Sequence, residues 1–202
     1  RYSDGKTNIV FVGRIVPNKK FEDVIACFAA YKEKYDPTAR LFLVGNYQET
    51  DTYYQYLQEY IKKCGVKDVI FPGHIAFNAI LAYYKIADLF LCMSEHEGFC
   101  VPLVEAMFFE TPIVAYASTA IPGTLGGSGV LVETKEPEMV AETMNRVMQD
   151  AEYRSEILKK QNERLKDFAY ESIRGQILDE IEKVQQSKID KVRNQNGEEK
   201  AD

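Results

Sequence analysis

The chain has 202 residues, 46% of them apolar and 28% charged, with 31 acidic against 25 basic side chains. That is enough chain for one ordinary domain or two small ones with a sizeable core, and the composition excludes a largely disordered protein. A formal net charge of −6 argues against a surface built for nucleic acid or anionic membranes. No apolar run approaches the ~20 residues that a bilayer-spanning helix needs.

In chain order, short apolar runs alternate with helical periodicity. Residues 8–13 (NIVFVG), 40–45 (RLFLVG) and 69–73 (VIFPG) read as buried strands, each ending on glycine. Residues 88–94 (DLFLCMS), 112–117 (PIVAYA) and 129–132 (GVLV) continue the series. Strands this apolar, without strict alternation, are covered on both faces, as in a parallel sheet. Between them, helices are predicted over 21–35, 52–64, 78–87, 102–109 and 138–148. The first carries Phe21, Val24, Ile25 and Phe28 in one stripe, and Gly65 closes the second. The fifth is predicted to turn Met139, Val140, Thr143 and Val147 inward. Strand–helix alternation of this kind specifies a Rossmann-like, doubly wound α/β fold with about six parallel strands and right-handed crossovers.

After Asp150 the strand pattern stops. Two helices are predicted over 153–166 and 171–186, and Ile177, Leu178 and Ile181 give the second an apolar side. The expected organisation is one domain over 1–186, including C-terminal helices over 151–186, and a polar, disordered tail over 187–202. The chain opens on Arg1, with no initiator Met and no signal-peptide pattern, as a piece of a longer chain would. Cys27, Cys64, Cys92 and Cys100 show no CxxC pairing and no metal-ligand spacing, and each lies in or beside an apolar run. They are expected to be reduced, buried thiols in a reducing, cytoplasmic setting, with no metal site. His74 and His96 are too few for a His/Cys metal site.

In an open α/β sheet, ligands bind beyond the carboxyl ends of the strands, where the strand order reverses. For a strand order of 3-2-1-4-5-6, the loops at that point are 13–20 and 95–101. The first reads GRIVPNKK and places Arg14, Lys19 and Lys20 at the crevice. Three cations so close together suggest an anion, phosphate above all, although a solvated turn after Pro17 accounts for the lysines equally well. The second lies in SEHEGFCVPLVEAM, where Gly98 permits close backbone approach and the N–H groups of Phe99–Val101 open a helix. Glu97 precedes that helix and Glu105 lies within it, so both can border one ligand, and a carboxylate accepts paired hydroxyls well. Ordinary helix electrostatics and an exposed helix position are the competing explanations for these acids. No G-x-G-x-x-G, GK[ST] or G-x-S-x-G motif is present.

At these residues the chain resembles the donor-binding, C-terminal half of retaining GT-B glycosyltransferases, glycosyltransferase family 4. The resemblance covers about residues 8–150. Its strongest element is the E-x7-E motif of Glu97-Gly98-Phe99 through Glu105, supported in order by VGR with a lysine five residues on, LFLVG, VIFPGHI, ADLFL, TPIVAYA and GSGVLV. The resemblance implies a hexosyltransferase, of polysaccharide or glycoconjugate biosynthesis, that takes a nucleotide diphosphate sugar and needs no metal or other cofactor. It implies that Arg14 and Lys19 neutralise the donor diphosphate, that Glu97 contacts the transferred sugar, and that Glu105 binds the ribose hydroxyls. The backbone of Phe99, Cys100 and Val101 would cradle the distal phosphate, Gly13 and Gly98 would also line the donor site, and His74 and Ile75 would meet the base. The acceptor would sit on an N-terminal domain of the same full-length chain, and the isolated half would transfer little or no sugar. Four positions depart from the family pattern: Lys20, Cys100 and Glu110 stand at usual glycines, and Gly123 follows Pro122 where glutamate is frequent. Alternatives are a nucleotide-sugar-binding or scaffolding module without transfer activity, and a GT-B-like epimerase or phosphorylase.

Overall fold

The computed structural model describes residues 2, 4–179, 181 and 183. It contains six strands, β1 (Asn8–Val12), β2 (Arg40–Val44), β3 (Val69–Ile70), β4 (Leu89–Cys92), β5 (Ile113–Tyr116) and β6 (Val130–Val132). They form a single sheet in the order β3-β2-β1-β4-β5-β6, and every neighbouring pair is parallel. Six strands in this order are the doubly wound arrangement that the sequence pattern specifies. β1, β2 and β4 are buried along their whole length, so each strand's apolar run is explained by cover on both faces.

Helices α1 (Phe21–Lys34), α2 (Thr52–Cys64), α3 (Phe77–Ile86), α4 (Val101–Phe108), α5 (Ile121–Leu125), α6 (Pro137–Gln149) and α7 (Ala151–Leu165) follow the strands. The stripe of Phe21, Val24, Ile25 and Phe28 is fully buried, and α1 packs against α6. Phe11 of β1 lies edge-on to Phe21, at 5.0 Å between ring centroids, and 5.9 Å from Phe90 of β4. These rings fix α1 over the middle of the sheet, and so fix the loop that leads into it.

Several expectations need correction. β3 stops at Ile70 rather than running to Gly73, because Pro72 cannot donate to a ladder and the strand lies at the sheet edge. The inward face of α6 is Val140, Ala141, Met144 and Val147, while Met139 is 59% exposed and Thr143 is half-buried. The helix begins at Pro137, and a 3.6-residue period through Val140 and Val147 selects Met144 rather than Thr143. The short helix α5 was not predicted. Its signals are Pro122 in its first turn and the left-handed Gly126 that ends it. Cys64 is exposed, being the last residue of α2 before the Gly65 cap, whereas Cys27, Cys92 and Cys100 are buried, and all four are free thiols.

The chain divides into two compact units between Arg164 and Leu165. The first holds the sheet and its helices. In it, the side chain of Gln161 on α7 is fully buried; its amide donates to the Thr111 carbonyl and its carbonyl accepts from the Ile113 N–H. The second contains a 3-10 turn at Lys166–Phe168 and helical backbone over 170–179. Tyr170, Ile173, Ile177, Leu178 and Ile181 are exposed there. The tail over 187–202 and the predicted helix end at 186 lie outside the described residues. No helix among the described residues is long and apolar enough to cross a membrane.

Candidate active site at the strand switch point

β1 and β4 are the central neighbours at which the strand order reverses. The loops that leave their carboxyl ends meet there, as the rule for open α/β sheets requires. After β1 the chain makes a 3-10 turn at Pro17–Lys19 before α1 begins. The Gly13 N–H donates to the Val44 carbonyl, which ties the loop back to the end of β2. A Cβ built on Gly45 would lie 1.8 Å from the Gly13 carbonyl oxygen, so only glycine permits the two strand ends this close.

The turn delivers Lys19 across the crevice to Glu97. The Lys19 ammonium lies 2.5 and 2.6 Å from the two Glu97 carboxylate oxygens. The Glu97 side chain is 6% exposed and that of Lys19 18%, so the pair is largely withdrawn from water. The loops are joined at two further points: the Glu95 N–H donates to the Asn18 carbonyl, and the Asn18 amide donates to the His96 carbonyl. The Arg14 side chain is exposed and makes no ion pair or hydrogen bond among the described residues, while its backbone carbonyl accepts from the Val16 N–H.

Lys20 is engaged differently from the expectation of a shared phosphate cluster. Its ammonium lies 3.3 Å from Glu95 and 3.6 Å from Glu22. Burial pulls its pKa down, but the hydrogen bond and charge of Glu95 outweigh this and raise it. Lys135 bridges Glu95 and Asp23, each at 2.8 Å, and its hydrogen bond holds the Glu95 carboxyl below the ordinary value. Two of the three cations at the first loop are therefore matched with carboxylates, and the side chain left facing solvent is Arg14.

The second loop is braced from behind by residues that the sequence reading passed over. The Glu97 N–H donates to the Thr119 hydroxyl at 2.9 Å, and that hydroxyl donates to the Glu97 carbonyl at 3.1 Å. Ser118 donates to the Ser94 carbonyl, and Thr124 to the Phe99 carbonyl. The segment after β5 thus fixes the segment after β4. The only sequence signal for this is the cluster of hydroxyl residues 118, 119 and 124 beyond a strand end.

Cys100 caps α4 with a left-handed backbone, φ 67°, and Val101 begins the helix. Gly98, Phe99 and Val101 are exposed at the crevice while Cys100 is buried. The first N–H groups of α4 are therefore placed to receive an anion. The neighbouring Cys100 thiol lowers the pKa of Cys92, while Cys100 itself is pushed up by that same contact and by burial. Glu105, one turn into α4, accepts a 2.7 Å hydrogen bond from the Tyr84 hydroxyl. Tyr84 is fully buried; burial and the Glu105 contact raise its pKa far above the ordinary value.

His74 and Ile75 follow β3, farther along the same edge of the sheet. His74 is exposed, with its Nδ1 2.9 Å from the Asn46 side-chain oxygen. With Asn46, Tyr47, Gln48 and Asp51 it lines an open depression of about 410 Å³. Tyr47 stacks on Tyr54 at 4.0 Å between ring centroids, which holds one wall of this depression rigid. All the predicted site residues thus lie beyond strand carboxyl ends. Lys19 and Glu97 are in direct contact, and His74 and Ile75 form a separate region after β2 and β3.

A parallel sheet of this order, with a lysine–glutamate pair at its switch point, defines a Rossmann-like, doubly wound domain. The chain belongs to the family described as glycosyl transferases group 1, which matches residues 2–165. It is similar to mannosylfructose-phosphate synthase of Agrobacterium fabrum, 34% identical over 116 residues that cover 55% of this chain and 25% of that protein. It is also similar to the solved C-terminal domain of a glycosyl transferase group 1 family protein, LpcC, from Francisella tularensis. That match has TM-score 0.69 and 27% identity, and covers 80% of this chain and 85% of that one. A further structure, Anabaena HepE in complex with UDP and glucose, matches with TM-score 0.74 at 23% identity, over 88% of this chain and 48% of that one. The chain spans less than half the length of the curated relatives it matches, 25% and 39% for two of them.

Proposed function

We propose that this glycosyltransferase domain is the donor-binding part of a retaining, family 4 hexosyltransferase and holds a nucleoside diphosphate sugar across the β1–β4 switch point. The observation that carries this reading is the Lys19–Glu97 pair, which sets a cation and a carboxylate in contact where the two loops meet. In the ligand-free chain each neutralises the other. A diphosphate entering beside Arg14 offers Lys19 a stronger anion, and Glu97 then turns to the sugar hydroxyls.

In the transfer step, the bond between the anomeric carbon and the terminal phosphate oxygen breaks, and its electron pair leaves with the diphosphate. Arg14, Lys19 and the first N–H groups of α4 stabilise that charge, the role that a metal fills elsewhere. The acceptor hydroxyl oxygen bonds to the same carbon on the face that the phosphate leaves, and its proton passes to the departing phosphate. Glu105, oriented by Tyr84, takes the ribose hydroxyls, and the base lies toward His74 and Ile75. The acceptor is supplied by an N-terminal domain, in line with the chain's coverage of less than half of its relatives. Alone, the chain binds donor and transfers little sugar.

Calorimetric titration with UDP, GDP and ADP tests the reading. One of them should bind with a Kd of millimolar or better, and failure of all three at millimolar concentration would sink it. UDP is the first to try, since a solved relative of the same fold is a complex with UDP and glucose.

A further inference from the structure

The loop between β4 and α4 carries a second constellation. Cys92 ends β4, Cys100 caps α4, and Glu97 lies between them in sequence; all three are buried. Their two sulfurs and one Glu97 carboxylate oxygen lie within 4.8 Å of one another. The cysteines are not disulfide-bonded. They stand eight positions apart, so no compact spacing motif reveals them; a strand end and a helix start bring them together.

The Cys100 φ of 67° is a conformation that glycine adopts freely, whereas a side chain there costs roughly 1–2 kcal/mol. The thiol that Cys100 carries is buried beside a second thiol and a carboxylate. We propose that Cys92, Cys100 and Glu97 form a site for a thiophilic divalent cation, with Zn²⁺ the best fit. Two thiolates and one carboxylate make a three-donor zinc set. Tetrahedral bonds of about 2.3 Å to sulfur and about 2.0–2.2 Å to oxygen set donors roughly 3.5–3.8 Å apart. Donors within 4.8 Å of one another reach that spacing by side-chain adjustment. Binding releases the two thiol protons to solvent. Ser94, whose hydroxyl lies 3.4 Å from the Cys92 sulfur, supports the ligand from behind.

The metal draws on the same carboxylate that holds Lys19. Resting on the reading of Glu97 as the sugar contact, Zn²⁺ therefore blocks the transfer site rather than serving it, and the site works as a metal-sensitive brake.

The test is titration of the fully reduced 202-residue chain with Cd²⁺, in a Cys64→Ser background that removes the exposed thiol. A sulfur-to-cadmium charge-transfer band in the ultraviolet should saturate at one equivalent, and Zn²⁺ should displace it. Cys100→Gly removes a ligand while relaxing the backbone, so it should fold and bind Cd²⁺ at least tenfold more weakly. Glu97→Gln should weaken binding several-fold. Absence of the band at one equivalent, or an unchanged affinity in Cys100→Gly, would overturn the proposal. UDP binding, measured on the same samples without metal, reads the donor site separately. A chain that binds UDP but no Cd²⁺ refutes only the metal site, and the reverse refutes the donor reading, and the brake with it, while the metal site stands.

Discussion

The Lys19 ammonium sits between both oxygens of Glu97, at 2.5 and 2.6 Å, although 78 residues separate them in sequence. Breaking a buried pair by removing one partner strands the other charge, at a cost of about 3–5 kcal/mol when burial is complete. Lys19 retains 18% side-chain exposure, so Lys19→Met should cost less, about 2–3 kcal/mol. Urea denaturation at pH 7 measures this. Because the penalty belongs to a stranded carboxylate, Lys19→Met/Glu97→Gln should lose less stability than Lys19→Met alone. Additive losses would show that the two side chains act independently.

Arg14 presents the opposite case. It is exposed and has no ion-pair partner among the described residues, so Arg14→Ala should leave the thermal midpoint within about 2 °C of the parent. The same substitution removes a charged hydrogen bond to the donor diphosphate, worth about 1.5–3 kcal/mol. Nucleotide affinity should therefore fall by about 10- to 100-fold. Calorimetry on the folded variant separates the two effects, and an unchanged affinity would move the phosphates away from the β1 loop.

Tyr84 and Glu105 couple the core to the crevice. The buried tyrosine donates a 2.7 Å hydrogen bond to Glu105, which fixes one carboxylate oxygen and leaves the group's orientation set by α3. Tyr84→Phe should cost about 1.5–3 kcal/mol of stability, as the loss of a hydrogen bond to a charged acceptor. It should also erase part of the preference for a ribonucleotide over its 2′,3′-dideoxy analogue. A preference equal to that of the parent would detach Glu105 from the ribose.

The fold was legible in the sequence because a covered parallel strand shows as an unbroken apolar run, and the first three of these runs are also closed by glycine. The six runs gave six strands. Elements marked only by local chemistry were less visible. α5 has five residues, too few to show a period, and Met139 entered the predicted core because it is apolar and next to Val140, although it lies off the buried face of α6. In the site, Glu97, Glu105 and Lys19 were singled out from the two loop sequences and the motifs that carry the family resemblance, and the structure brings Lys19 and Glu97 into contact. Thr119 and Tyr84 were not, since their partners lie on other elements and no local pattern links them. Most instructive are the departures at glycine positions. Lys20, Cys100 and Glu110 have φ values of 52°, 67° and 54°, so each puts a side chain where the backbone itself favours glycine.

Glu110 gives the simplest test of that cost. It follows α4 in a left-handed conformation, with its N–H donating to Met107 and the Thr111 N–H to Ala106, the paired bonds of a Schellman cap. Its side chain is exposed and no ion pair holds it among the described residues. Relief of roughly 1–2 kcal/mol of left-handed strain is partly offset by the greater unfolded-state entropy of glycine. Glu110→Gly should therefore stabilise the chain by about 0.5–1 kcal/mol in urea, without altering nucleotide affinity. A destabilised variant would mean that the glutamate makes a contact worth more than the strain.

Gln161 tests how α7 is held to the sheet. Its amide satisfies the Thr111 carbonyl at 2.8 Å and accepts from the Ile113 N–H at 3.1 Å, with the side chain fully buried. Those two backbone groups stand where β5 begins, beyond the reach of its ladder partners. Gln161→Leu keeps the volume but orphans both of them, and each buried unsatisfied group costs about 1–3 kcal/mol. A loss of about 2–5 kcal/mol is expected in equilibrium unfolding. Gln161→Glu should also destabilise, because a buried carboxylate accepts from Ile113 but, ionised, cannot donate to Thr111. Amide exchange at Ile113 should accelerate in Gln161→Leu and stay protected in Gln161→Glu. Equal protection in both variants would show that α7 is held by its apolar contacts alone.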